Sequence, residues 1–166
     1  MLKVLAIALL SANLSVSAAE NSKSLQGSAL LKFSIFKITI YKIDYHIYSK
    51  EEDAQKEALI LTYQTDVAKS YSLKGWQAGI APNISSPKKF KKQLDWINNN
   101  TPDFKENDVF KIEKINNKVV NFYKNNKLLA KKEDAKLAKI VFSPWLGEKP
   151  IDDEIKQNLL AKKTKD

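Results

Sequence analysis

Apolar and polar residues alternate through much of the first third of the chain. Ser28 to Phe33 leads on to Ile35-Phe36, and from Lys37 to Tyr48 the alternation is regular. Tyr41, Ile43, Tyr45 and Ile47 share one face, and Lys42, Asp44, His46 and Tyr48 share the other. A period of two is the mark of a β-strand. Upstream, Ile38 and Ile40 put apolar groups on the second face, so the apolar side changes at Ile40-Tyr41. That change predicts a bulge, or a strand whose two sides are buried in different places, bordering a cavity or a second layer. Ala58 to Gln64 is a further strand, and its apolar groups on both faces place it inside a sheet.

The period then lengthens. Residues 66–79 read as a helix carrying Val67, Tyr71 and Trp76, with Gly75 weakening its middle. Ser86 is a candidate N-cap with Pro87 at the first helical position, and Phe90, Leu94 and Ile97 repeat at helical spacing until Asn98-Asn99-Asn100 and Pro102. Three short strands follow, at residues 108–114, 118–124 and 127–131. They are separated by Asn116-Asn117 and Asn125-Asn126, and Asn tolerates the positive φ of tight hairpin turns.

Glu133-Asp134 opens a helix that is expected to run to Pro144-Trp145-Leu146-Gly147. Pro150 and the acidic Asp152-Asp153-Glu154 then start a second helix bearing Ile151, Ile155, Leu159 and Leu160. Strands, a helix pair, a meander and a closing helix pair together predict an α+β domain, an antiparallel sheet with helices packed on one face.

Residues 1–19 read as an export signal. Lys3 forms the positive end, Val4 to Leu10 a short apolar core, and Ser17-Ala18-Ala19 a small-residue cleavage site. Residues 20–166 then form a single domain, large enough to bury a core without cross-links. The alternative is an uncleaved amphipathic leader. The chain has no cysteine, hence neither disulfides nor a lipid-anchoring thiol, and a Gram-negative periplasm is the expected location.

All 28 basic residues are lysine, and the net charge is +9. The excess is either a coding bias that fills solvated faces with Lys and Asn, or an attraction to anionic lipid head groups or an acidic protein partner. Export and the lack of Arg argue against a nucleic-acid reader.

Few constellations carry chemistry. One histidine, His46, and no cysteine leave a metal site without a ligand set, and no cofactor is implied. There is no Gly-x-Ser-x-Gly elbow, and the four glycines are too scattered to cradle a phosphate. What remains is a polar and aromatic cluster on the early strands: Lys32, Tyr41, Tyr45, His46 and Tyr48. These residues would supply hydroxyl and ammonium donors inside an apolar pocket, or the tyrosines are core residues with their hydroxyls at the rim.

Four segments in order carry a family likeness: Leu25-Gln26-Gly27-Ser28-Ala29-Leu30-Leu31-Lys32, Lys37 through Tyr48, the meander with Asn107-Asp108-Val109-Phe110 and Asn121-Phe122-Tyr123-Lys124, and Phe142-Ser143-Pro144-Trp145-Leu146-Gly147. Over about Leu25 to Leu160 the chain resembles the small bacterial branch of the chalcone isomerase-like family. The resemblance implies an open-faced sandwich with a pocket. In the plant isomerases an arginine ends the Gly-rich strand and a threonine lies on the next; Lys32 and Tyr41 fall at or beside those places, and both depart from the pattern.

The enzymes' helix-borne tyrosine and asparagine have no assigned match in residues 66–79. Fatty-acid-binding members of the fold hold a carboxylate with a basic residue and a tyrosine near these strand positions. The resemblance therefore implies a non-catalytic binder of a small amphipathic ligand such as a fatty acid, with Lys32, Tyr41, Tyr45 and His46 at the ligand. Two alternatives stay open. One is an envelope interaction protein with a closed pocket and a basic docking face; the other is an isomerase or lyase of a phenolic substrate, with Tyr41 as polariser and Lys32 as electrostatic stabiliser.

Overall fold

The computed structural model of the chain describes residues 23–33, 38–51 and 54–161. The expected leader, residues 1–19, lies outside the described residues. Six antiparallel strands, β1 (Lys23–Phe33), β2 (Ile38–Glu51), β3 (Ala54–Tyr63), β4 (Val109–Ile115), β5 (Val119–Lys124) and β6 (Lys127–Glu133), pair strictly in sequence order. Helices α1 (Lys69–Ile80) and α2 (Lys91–Asn100) are inserted between β3 and β4. Helices α3 (Ala135–Ile140), α4 (Ser143–Leu146) and α5 (Asp153–Leu160) follow β6.

The helices cover one face of the sheet. On β2 the covered residues are Tyr41, Ile43 and Tyr45, all buried, while Lys42 on the other face is exposed. The expected irregularity at Ile40-Tyr41 is present. Leu31 of β1 pairs with Tyr41, but the next residue, Lys32, pairs with Thr39, so Ile40 is the extra residue on β2. The two hairpin turns of the meander also form as their residue types dictate: Asn116, Asn117, Asn125 and Asn126 all have φ between 49° and 65°.

Between the layers lies an aromatic core. Phe104 stacks on Tyr63 with ring centroids 4.0 Å apart, Phe110 meets both Phe104 and Phe122 edge-on at 5.1 Å, and Trp76 packs against Trp145 at 5.4 Å.

Two close approaches set the helix positions. Gly27 of β1 lies directly beneath the last turn of α5, where any Cβ would collide with the carbonyl oxygens of Asn158 and Leu159. Gly79 of α1 lies against Pro144, with 2.5 Å between its would-be Cβ and the proline Cβ. Asn83 ties the corner together: its Nδ2 donates to the carbonyls of Gly79 at 2.9 Å and Lys149 at 2.7 Å, and its Oδ1 accepts from the Lys149 amide at 2.9 Å.

Three local expectations are corrected. Val67 does not join a helix; it forms a bridge with Phe104, and α1 begins only at Lys69 because the chain must first cross from β3 to the helix layer. Ser86 makes no capping hydrogen bond, since residues 87–90 coil as a 3₁₀ turn before α2 starts at Lys91. Glu133 belongs to β6, and Asp134 alone caps α3, accepting from the Leu137 amide at 3.0 Å; α3 then ends at Ile140, and Ser143 to Leu146 forms a separate turn of helix.

Candidate ligand cavity between sheet and helices

A cavity of about 740 Å³ opens between the sheet and the helix layer. Its floor is built from β2, β3 and β4, whose parity turns Tyr41, Leu61, Tyr63 and Phe110 towards the helices. Its roof is α1 and α4. Along α1, Tyr71, Gly75 and Ala78 fall at spacings of four and three, and Ser72 and Trp76 at four, so one side of the helix faces the space. Gly75 contributes no side chain, and a Cβ placed there meets nothing within 4 Å. Phe33, Ile40, Tyr71 and Ile151 border the opening.

The polar groups within this space are few and mostly neutral. Trp145 Nε1 donates to Tyr41 Oη at 2.9 Å, a bond that joins the α4 turn to β2. No acceptor among the described residues takes the Tyr41 proton, so that phenol can still donate. Burial raises the Tyr41 phenol well above its ordinary range, and the indole N–H only partly opposes this. Burial also raises Tyr63, the neighbouring Tyr41 adds to it, and Ser72 acts the other way. Ser72 Oγ itself is buried without a well-formed hydrogen bond. At the edge of the space stand one carboxylate, Asp66, paired with Lys105 at 2.7 Å, and one ammonium, Lys74, over the Tyr71 ring at 5.5 Å.

Of the four site residues expected from the sequence, only Tyr41 lines this cavity. Lys32 lies between Leu31 and Phe33, which both line it, and strand alternation turns Lys32 outward to the uncovered face, where it is exposed. The anticipated pairing of Lys32 with Tyr41, as carboxylate clamp or as catalytic pair, is therefore not formed: the two residues are strand neighbours pointing to opposite sides. Tyr45 faces the helices but further along β2, where its hydroxyl donates to Glu57 Oε1 at 3.2 Å and its ring meets Phe142 edge-on. Burial, then the Glu57 charge, push its phenol up. Glu57 is in turn held by Lys114 at 2.6 Å. His46 is half-buried on the uncovered face beside Lys42 and Asp44.

Sequence reasoning missed Lys74, Ser72, Tyr63 and Trp145. The signal for α1 was present in the spacing of Tyr71, Gly75 and Ala78, a small-residue track where a helix in contact with a full core would carry larger side chains. Tyr41→Phe tests the link between floor and roof. Removing the acceptor leaves the buried Trp145 N–H unsatisfied, and urea unfolding is expected to register a loss of about 1–2 kcal/mol. An unchanged midpoint would mean that the bond contributes nothing.

Comparison with known proteins agrees with this architecture. No curated protein matches the chain significantly. Among solved structures, the crystal structure of a fatty-acid binding protein of Arabidopsis thaliana superposes with a TM-score of 0.68 at 13% identity, over 85% of this chain and 88% of that one. At that identity the likeness establishes the fold. A sequence profile described as chalcone isomerase-like matches residues 11–161, nearly the whole chain. The sheet order, the helix layer and this match together place the protein in the chalcone isomerase-like family.

Proposed function

We propose that the protein is an exported, non-catalytic binder of a small amphipathic ligand, and that a fatty acid is the ligand class its cavity suits. The observation that carries this reading is the roughly 740 Å³ space itself, walled by aromatic and aliphatic side chains, with neutral phenols inside and the Lys74 ammonium, in no ion pair among the described residues, at the lip. Ligand pockets of this kind run from about 300 to 1,000 Å³. An acyl tail of about ten buried methylenes is worth about 8 kcal/mol before the losses of association are subtracted. Lys74 is placed to meet a carboxylate at the surface, and the tail would run inward past Tyr63 and Tyr41. The fatty-acid binding function of the Arabidopsis protein supports the same reading by analogy of fold.

Native mass spectrometry of the protein isolated from its own cells tests both halves of the proposal. A mass corresponding to cleavage near Ala19, with an acyl chain bound, is the expected result. An empty protein that gains no thermal stability from added fatty acids would refute the binding function, and a retained leader would refute processed export. Lys74 is exposed, so its contact with a carboxylate is worth about 1 kcal/mol. Lys74→Met is accordingly expected to weaken a long-chain acid about fivefold by fluorescence titration, and to leave the matching alcohol unaffected.

A further inference from the structure

Large apolar side chains are normally exposed singly and scattered over a surface. Here they gather. Eight are markedly exposed among the described residues, and four of them ring the cavity opening: Phe33 at 69%, Ile38 at 53%, Tyr71 at 68% and Ile151 at 38%. Phe33 and Ile38 are cross-strand partners at the end of the β1–β2 hairpin, so their side chains stand together on the covered side of the sheet. Tyr71 approaches from α1, and Ile151 from the segment leading into α5. This apolar collar is continuous with the cavity it surrounds, since Phe33, Tyr71 and Ile151 all line it.

Cations stand near the collar in a chain whose net charge is +9: Lys74 lies over the Tyr71 ring, and Lys149 is exposed two residues before Ile151. Of the carboxylates nearby, Asp66 is paired with Lys105 and Asp152 is engaged as the N-cap of α5, while Asp153 is exposed. Apolar groups able to enter the acyl boundary, with ammonium groups at head-group level, form the chemistry that recognises an anionic bilayer surface. Among the described residues no helix is long and apolar enough to cross a membrane.

We infer that the collar of Phe33, Ile38, Tyr71 and Ile151 docks the cavity mouth onto an anionic lipid surface, so that an amphipathic ligand passes between bilayer and cavity without entering water. The inference rests on the carrier reading above and adds its partner. A long-chain acid partitions strongly into membranes, and crossing water would expose every methylene of the tail. A mouth sealed against the bilayer removes that step.

Vesicle flotation of the processed protein decides the matter. Vesicles of phosphatidylethanolamine with phosphatidylglycerol are expected to bind it at least tenfold more tightly than pure phosphatidylcholine, with the preference falling steeply at 0.5 M salt. Phe33→Ser with Ile38→Ser, both at exposed positions, is expected to reduce binding to the anionic vesicles at least tenfold. Ile38→Ser alone, outside the cavity lining, should leave the affinity for a soluble short-chain acid within about threefold of the parent.

No association of the parent protein with anionic vesicles would overturn the docking inference, as would a double variant that floats as well as the parent. The acid titration is run without vesicles, so the two claims fail separately. Acid binding without flotation leaves a carrier that works from solution, and flotation without acid binding removes the carrier reading while the docking surface stands.

Discussion

Gly27→Ala is expected to lower the melting temperature by about 10 °C. The added methyl has no torsional consequence, because Gly27 is not among the residues with positive φ. Its effect is purely steric: the new Cβ would occupy the space of the Asn158 and Leu159 carbonyl oxygens in the last turn of α5. Backbone atoms of a helix cannot rotate away as a side chain can, so relief requires the whole turn to lift from β1. Ile155 and Leu159, buried by that contact, would then lose packing. Overpacking of this kind costs about 3 kcal/mol, and in a chain of this size each kcal/mol moves the midpoint by about 2–4 °C. Thermal melting followed by circular dichroism measures it. A shift below about 3 °C would show that α5 does not ride on the bare backbone of β1.

Gly75→Trp is expected to weaken acid binding by at least about 100-fold while the fold is retained. Gly75 faces the cavity in the middle of α1, and a Cβ there meets nothing within 4 Å. An indole rooted at that point would displace about four methylenes of a tail. At about 0.8 kcal/mol each, that is about 3 kcal/mol, or somewhat more than a factor of 100 in affinity. The control is Gly75→Ala, which adds only the Cβ and removes the backbone freedom of glycine within a helix. It should stabilise the protein by about 0.5–1 kcal/mol and bind acid nearly as the parent does. If the tryptophan variant folds and binds with parental affinity, the ligand does not occupy the space beneath α1. If the alanine variant is destabilised, the space is not open.

The two glycines illustrate what could and could not be read in advance. Strand positions followed from alternation, and the change of apolar side at Ile40-Tyr41 located the bulge that β1 and β2 share. The Asn pairs fixed the hairpins because few other residues accept φ near 50°. Which way Lys32 points did not follow from pairing alone. It sits one register step from the Leu31–Tyr41 pair, close enough to suggest a joint site, but facing is decided by parity counted from a residue whose side is known. Gly27, where α5 lies against the bare backbone, supplies that reference once the structure is known, and parity counted from it assigns Leu31, not Lys32, to the cavity.

The helix layer was harder to read, since its contacts are long-range. Nothing local distinguishes the Gly that admits a neighbouring backbone from the Gly that leaves a space, and nothing near Trp145 announces a hydrogen bond to a tyrosine 104 residues away.

Because strands β3 and β4 are direct neighbours, everything from residue 64 to residue 108 is a single excursion that leaves the sheet and returns to the adjoining position. Lengthening the flexible connections within such an excursion is thermodynamically mild, about 0.6 kcal/mol for each doubling of a flexible loop. Part of the chamber's ceiling can therefore be reshaped by insertions in one stretch of gene, with no strand re-threaded.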